Sequence, residues 1–223
     1  MNIIVIAKGQ FPVLQSVLDL VECADIIVCC DGAFDIFFHW WQRTMSSRRQ
    51  VDVVGDGDSF SLALFDEARQ AGLKVRRMVV SEQESNDLSK AVHYVIGQAR
   101  GEGVDDSEIH LDILGATGLR EDHTLGNISL LAYYCTLYPR IEFRMLSDYG
   151  MFLPVRGYRS FKSYLGQQVS VFSLTPQVPV SVRGLRYPIE NRCLLWLWEG
   201  TLNESISDTF DVTGGILVVY QEG

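Results

Sequence analysis

The 223-residue chain has no apolar run of bilayer-spanning length, and it is poor in basic residues, with 19 Lys and Arg against 28 Asp and Glu and a formal charge of -9. The first lack excludes a membrane-spanning helix. The second argues against a nucleic-acid polymer or an anionic membrane surface, since both are held by a positive face. Cationic small molecules, or anions bridged by a divalent metal, suit this charge better. The five cysteines (Cys23, Cys29, Cys30, Cys135 and Cys193) contain no C-x-x-C pair and no zinc spacing. They read as reduced, buried thiols of a cytoplasmic protein. A short β-rich run, Ile3-Ile4-Val5-Ile6, begins where a secretory leader would need a basic segment and a longer apolar stretch. His39, His93 and His110 show no metal-ligand spacing, and there is neither an internal repeat nor a low-complexity tract.

What is present is alternation. β-rich runs at Ile3 to Ala7, Asp25 to Cys30, Val51 to Gly55, Val75 to Val80, Ile109 to Leu114 and Ile141 to Leu146 are separated by amphipathic stretches. The clearest of these places Leu88, Ala91, Val92, Val95, Ile96 and Ala99 at helical spacing. Such a pattern predicts βαβ units and a mostly parallel sheet covered on both faces, a three-layer Rossmann-like α/β domain over residues 1–147. Beyond residue 150 helical periodicity stops. Short β-rich segments (Met151 to Val155, Gln168 to Leu174, Val180 to Arg183, Leu194 to Trp198, Phe210 to Thr213, Ile216 to Tyr220) alternate with Pro and Gly turn signals, predicting a small all-β sandwich over 150–223.

In a parallel sheet, ligands sit beyond the carboxyl ends of the strands. Those ends are polar here: Lys8-Gly9 after the first, Asp31-Gly32-Ala33 after the second, Asp56-Gly57-Asp58-Ser59 after the third. The segment Ser81 to Asp87, containing Gln83, follows the fourth, and Gly115-Ala116-Thr117-Gly118-Leu119-Arg120-Glu121-Asp122-His123 the fifth. In an extended or tightly turned backbone, residues two apart face the same side, so Asp56 and Asp58 are able to hold one cation together. The plain alternative is a solvated Asp-Gly turn. A calcium loop starting at Asp56 fails, because Phe60 and Ser61 stand where a ligand and the obligatory glycine belong. With Asp31 and Asp87 added, the set suits magnesium, an oxygen-seeking ion shared between carboxylates and phosphate.

Gly115 to Gly118 is a glycine-containing strand-to-helix turn of the type that offers backbone N–H groups to phosphate. It is neither a Walker loop nor G-x-G-x-x-G. Arg120 is placed to hold a phosphate bidentately, with a surface ion pair to Glu121 or Asp122 as the alternative. Asp87 is either a ligand or a first-turn partner of the helix dipole. Lys90, off the apolar stripe, is either a phosphate contact or a solvent-exposed i,i+3 partner of Asp87. His123 is able to serve as a base, although a hydrogen-bonded structural histidine is the commoner case. Trp196 and Trp198 read as alternating onto one face of a strand, where core packing is the first expectation and a flat cationic ligand the second.

Taken in order, these segments resemble the thiamine pyrophosphokinase family along essentially the whole chain. Its Ala-Asn-Gly-Glu-Phe-Pro is matched by Ala7-Lys8-Gly9-Gln10-Phe11-Pro12, its Cys-Ala-Asp-Gly-Gly by Cys29-Cys30-Asp31-Gly32-Ala33, and its Gly-Asp-Phe-Asp-Ser by Gly55-Asp56-Gly57-Asp58-Ser59. Thr-Asp-x-x-Lys-Ala is matched by Asn86 to Ala91, and Gly-Gly-x-Gly-Gly-Arg-x-Asp-His-x-Leu-x-Asn by Gly115 to Asn127. The resemblance implies a homodimer with active sites at the subunit interface, using Mg2+ and ATP to place a diphosphate on thiamine and release AMP. It implies metal ligands at Asp31, Asp56, Asp58 and Asp87, and catalytic roles for Asp56, Asp58, Asp87, Lys90 and Arg120. Nucleotide contacts are implied at Asp31, Gly32, Gln83, Gly115, Thr117, Gly118, Arg120 and Asp122, and thiamine contacts at Asp122, His123, Asn127, Trp198, Thr201 and Asn203. The chain departs from the pattern at Gly57, which replaces an aromatic and loosens the loop, and at Ala33 and Ala116, which replace glycines. Leu202-Asn203-Glu204 stands in place of Ser-Asn-Glu. These departures keep two other readings in view: a diphosphokinase for another hydroxymethylated heterocycle such as a pterin, and a non-catalytic nucleotide or thiamine sensor.

Overall fold

The structure, a computed structural model, describes residues 1–44, 50–57, 61–81 and 85–223. The chain divides into two compact units, residues 1–127 with 146–148 and residues 128–145 with 149–223. The first contains strands β1 (Asn2–Ile6), β2 (Ile26–Cys30), β3 (Gln50–Gly55), β4 (Lys74–Val79) and β5 (His110–Leu114). Helices α1 (Gln15–Cys23), α2 (Phe34–Thr44), α3 (Leu62–Gln70) and α4 (Asp87–Gly101) alternate with them, and α5 (Glu121–Leu137) begins here and continues into the second unit.

All pairings among these five strands are parallel, in the order β4-β3-β2-β1-β5. The order reverses at β1: successive strands β1 to β4 march one way, and β5 returns to the other side. A ligand crevice is expected at this switch, beyond the exits of β1 and β2 or β5. Strand interiors are apolar on both faces, with Ile3, Val5, Val28, Cys29, Val51, Val53, Leu111 and Ile113 all buried, as a sheet covered by helices requires. The buried side of α4 includes Leu88, Ala91, Val92, Val95, Ile96 and Ala99, the positions that the spacing predicted, together with Ser89 and Lys90.

Two buried carboxylates, Asp52 and Asp112, lie on strands of this sheet. Asp52 on β3 is buried and accepts a bidentate pair from Arg76 (Nε 2.8 Å, Nη2 2.6 Å) and a third bond from Tyr94 Oη (2.9 Å). The carboxylate thus ties β3 to the neighbouring strand β4 and to α4. Its negative charge and burial push the Tyr94 phenol up to about 12.

The second unit contains β6 (Glu142–Ser147), most of which groups with it, and β7 (Gly150–Lys162), β8 (Gln168–Ser173), β9 (Val180–Arg183), β10 (Ile189–Arg192), β11 (Asn203–Glu204) and β12 (Thr209–Glu222). β12 pairs antiparallel with β7 along nearly its whole length; its first half also pairs with β9 and its second with β8. β10 extends β9, and β11 extends β8. A register shift between Gly214 and Ile216 marks where β12 changes partner, the local bend expected of a bulge. The two layers enclose a core that includes Leu153, Phe161, Val171, Val182, Phe210 and Leu217, with Phe161 and Phe210 stacked at 4.9 Å.

Three expected strands change here. Phe210 to Thr213 and Ile216 to Tyr220 are one strand, since Gly214-Gly215 is a bulge and not a turn. Leu194 to Trp198 is not a strand: Leu197–Gly200 is a 3-10 turn. Glu199 accepts the Trp196 backbone N–H (2.8 Å) and an Arg192 Nη2 bond (2.6 Å), a local alternative to a ladder. Consequently Trp196 and Trp198 do not pack in the core; they are 68% and 70% exposed. The cysteines are all free thiols, but only Cys29 and Cys30 are buried, and Cys23 is exposed, contrary to the expectation that all five are internal. No helix among the described residues is long and apolar enough to cross a membrane.

Candidate active site

A cavity of about 840 Å³ opens beyond the strand exits of the first unit, lined from β1 by Ala7, Lys8 and Gly9, from β2 by Cys30 and Gly32, and from β3 by Asp56. The β4–α4 connection and α4 supply Ser85, Asn86, Asp87, Leu88 and Lys90. The β5–α5 turn and α5 supply Gly115, Ala116, Gly118, Leu119, Arg120, His123 and Asn127.

Three close approaches build its floor. After β2 the chain turns at once into a 3-10 turn, Asp31–Ala33, that feeds α2, and Asp31 is 1% exposed. A Cβ on Gly55 would lie 2.5 Å from Asp31 Cβ, so glycine is what lets β3 end beside this carboxylate. Between β1 and β5, Ala7 N–H donates to Leu114 (2.8 Å), Gly9 N–H to Gly115 (2.6 Å) and Gln10 N–H to Thr117 (2.9 Å), so the two exits are zipped together. A side chain at Gly9 would collide with the Gly115 and Thr117 carbonyls. Gly115 (φ +63°), Gly118 (φ +74°) and Leu119 (φ +61°) give the turn its left-handed backbone. Ala116 is not among the positive-φ residues, so the alanine is tolerated there. Its carbonyl accepts from buried Asn127 Nδ2 at 2.8 Å, which pins the turn to α5. Ala33 is likewise outside the positive-φ set and buried.

The charged centre lies at the start of α4. Asn86 caps that helix by accepting the Ser89 N–H at 2.9 Å. The family's threonine at this position and the asparagine here are both good N-cap residues. Asp87 opens the first turn, and Lys90 one turn later points back along the helix toward it. Lys90 is not the solvent-exposed partner that its place off the apolar stripe allowed. Its side chain is 3% exposed, and Nζ lies 3.6 Å from Asp87 Oδ1 and 4.0 Å from Asp56 Oδ2. Burial pushes the Asp87 carboxyl above the usual carboxylate range; Lys90 pulls it back, while Asp56 and Asp31 push the same way as burial. Negative charge is therefore crowded at this point, and one ammonium does not fully neutralise it.

Among the described residues no three His, Cys, Asp or Glu side chains gather as a self-sufficient metal cage. Asp58 and Gln83 lie outside the described residues. Arg120 stands at the cavity lip, exposed and in a bidentate pair with Asp122 (Nε–Oδ1 3.1 Å, Nη2–Oδ2 2.6 Å), the surface ion pair weighed above. That hydrogen bonding holds the Asp122 carboxyl down at about 2. His123 lines the cavity from the first turn of α5, while Thr117 is not part of the lining.

Of the residues expected to meet thiamine, Trp198, Thr201 and Asn203 belong to the second unit. Thr201 Oγ1 donates to the Trp198 carbonyl (2.8 Å). Asn203 is buried and pairs with the Tyr187 backbone in both directions, accepting its N–H at 3.0 Å and donating to its carbonyl at 2.7 Å. Leu202, at φ +59°, projects from the surface. Sequence reasoning placed Lys8 at a strand exit but assigned it no role, and it missed Ile36 and Leu119, whose apolar character gave no signal for a cavity wall.

Comparison with known proteins follows this geometry. The model of the thiamin pyrophosphokinase catalytic domain matches residues 17–143, and that of the thiamin pyrophosphokinase substrate-binding domain matches residues 150–220. Comparison with curated proteins finds no match. Among solved structures, thiamin pyrophosphokinase from Candida albicans superposes with a TM-score of 0.80 at 19% identity over 99% of this chain and 89% of that one. The thiamine pyrophosphokinase of Bacillus subtilis gives 0.73 at 20% identity over 100% and 99%, and that of yeast 0.76 at 14% over 100% and 86%. At such identities the structural likeness establishes the fold alone, and family membership rests on the two domain models. With the catalytic model alone spanning more than half of its length, the chain belongs to the thiamin pyrophosphokinase family.

Proposed function

We propose that the cavity of the first unit is where ATP is held while its terminal diphosphate passes to the hydroxyl of thiamine, giving thiamine diphosphate and AMP. The observation that carries this reading is the Asp56–Lys90–Asp87 cluster, a buried cation between two carboxylates at the mouth of a parallel sheet. In this reading residues 1–147 form the nucleotide-binding catalytic domain and residues 150–223 the thiamine-binding domain.

The donor set fits magnesium. It offers only carboxylate oxygens, and the raised proton affinity of Asp87 marks negative charge that a divalent cation would relieve. Asp31, Asp56, Asp58 and Asp87 would hold the ion together with phosphate oxygens. When bound it would neutralise charge on the polyphosphate. The chain's own groups do the rest. Lys90 and Arg120 bind phosphate oxygens; Arg120 exchanges its Asp122 partner for the substrate, and Asp122 and His123 then border the acceptor. Gly32, Gly115, Gly118 and Asn127 line the nucleotide cleft. As the thiamine hydroxyl oxygen forms its bond to the β-phosphorus, the bond from that phosphorus to the bridging oxygen of the α-phosphate breaks. The hydroxyl proton is lost to solvent, and AMP leaves with the electron pair. Positioning and charge neutralisation supply most of the rate in such a transfer.

The active form in this reading is a cytoplasmic homodimer with active sites at the subunit interface. It is supported by an exposed apolar surface on the second unit, formed by Leu195, Trp196, Leu197, Trp198 and Leu202. Exposed indoles there also suit a flat cation such as thiamine. The test is incubation with thiamine, ATP and Mg2+, with both products separated: thiamine diphosphate and AMP in equal amounts are expected. ADP as the nucleotide product, or a pterin alcohol outcompeting thiamine, refutes the assignment.

A further inference from the structure

Among the described residues three Lys and Arg side chains line the cavity, and they are not equivalent. Lys90 is committed to Asp56 and Asp87, and Arg120 to Asp122. Lys8, at the exit of β1, makes no ion pair among the described residues although it lines the same cavity.

Its location is fixed by its neighbours. The backbone on either side is held by the Ala7–Leu114 and Gly9–Gly115 bonds, so the residue between them has little freedom to swing away. Its side chain then runs over the β2 exit. A Cβ on Gly32 would lie 2.5 Å from Lys8 Nζ and 2.7 Å from both Cδ and Cε, so Gly32 is the gap through which the lysine crosses. The ammonium is thereby carried over the β2 exit at Gly32, which lines the same cavity.

We infer that Lys8 is a further phosphate-binding residue, the cation that takes the nucleotide's polyphosphate chain before Lys90 and Arg120 are released from their carboxylates. The inference rests on the diphosphate-transfer reading for the identity of the anion. The chemistry is that of an ammonium point charge, with three donors and no acceptor, whose long stem follows a substrate oxygen without the planar demand of a guanidinium. Because Lys8 has no ion-pair partner among the described residues, the anion displaces none of them, and the ammonium is available to the ligand.

The test uses the full chain and two variants, Lys8→Met and Lys8→Arg, read by inorganic tripolyphosphate binding in a titration calorimeter and by KM for ATP and for thiamine. Losing one charge-assisted hydrogen bond should weaken tripolyphosphate and raise the ATP KM by about 10- to 100-fold in Lys8→Met. KM for thiamine and the melting temperature should stay put, and Lys8→Arg should recover most of the loss. Unchanged tripolyphosphate affinity and ATP KM in Lys8→Met, with wild-type turnover intact, overturns the role of Lys8 and leaves the reaction standing. Lys8-dependent tripolyphosphate binding in a protein that makes no thiamine diphosphate keeps the role of Lys8 and overturns the reaction. An equal loss in both KM values, or a fall in melting temperature that accounts for the change, marks a structural role and refutes the inference.

Discussion

Replacing Lys90 by methionine removes the buried charge at the centre of the site while keeping a side chain of similar length. At 3.6 and 4.0 Å, each Lys90–carboxylate attraction is worth about 4 kcal/mol at an effective dielectric constant near 20, before desolvation is counted. The Asp87 and Asp56 side chains are 39% and 32% exposed, so solvent screens much of this and rehydrates both carboxylates once the lysine is gone. The expected cost in folding stability is therefore only ~1–2 kcal/mol, well short of what a fully buried broken pair would lose. Turnover should respond differently. A preorganised cation aimed at developing charge costs roughly 10²- to 10³-fold in kcat when it is removed. The assay is AMP release at saturating ATP and thiamine, run beside chemical denaturation of both proteins. A kcat within about threefold of wild type would refute a direct role for Lys90 in transfer. A stability loss large enough to unfold the chain would refute the claim that its partners are half-solvated.

Two further consequences follow from the same geometry. Gly115→Ala forces a methyl toward the Ala7 carbonyl at 2.5 Å from a backbone at φ +63°, so strain and overpacking together should cost about 2–4 kcal/mol and lower the melting temperature by roughly 5–15 °C; an unchanged melting curve would show that the β1–β5 exits are not locked. Asp87 binds its proton more tightly folded than unfolded, so the cost of ionising it is absent below the unfolded pKa, grows as the pH rises above that value and is complete once the pH has passed the folded one. Carbon-detected NMR titration should find its midpoint above that of an ordinary aspartate, with Asp56→Asn moving it down; a midpoint at the ordinary value would remove the charge crowding inferred here.

Much of the first unit was legible because a parallel sheet writes its strands as apolar runs and its helices as a 3.6-residue stripe. Expected and observed strands differ by about a residue at most ends, as Ile3 to Ala7 against Asn2–Ile6 illustrates. The second unit was harder. The outer half of β7, from Arg156 to Lys162, carries a single buried position, Phe161, and β10 likewise only Ile189. Neither shows the contrast that marks a strand. At Leu194 to Trp198 the alternation was present but its cause was not core packing: Glu199 captures the Trp196 N–H and curls the chain before it can join a ladder.

The site divides the same way. Strand exits converge because all five strands run in one direction, so Asp31, Asp56, Asp87 and the Gly115 to Gly118 turn were placed by topology. The burial of Lys90 was not, because periodicity separates apolar from polar faces and is blind to a polar side chain covered by carboxylates from another strand.

Gly57 shows what a departure from a family pattern means once its neighbours are known. A glycine between two aspartates first reads as lost packing and added flexibility. Here it sits at φ +86°, where an aromatic side chain would be strained. Its carbonyl accepts a hydrogen bond from Arg77 Nη2 at 3.3 Å, and a Cβ at this position would run into that same guanidinium. Arg77 reaches it from β4, the edge strand of the parallel sheet, and the Gly55 carbonyl is already tied to the Val80 N–H at 2.9 Å. The turn that presents Asp56 is thus braced at the Gly55 and Gly57 carbonyls, by Val80 just past β4 and by Arg77 on it. The side chain absent at Gly57 is what leaves room for the arginine.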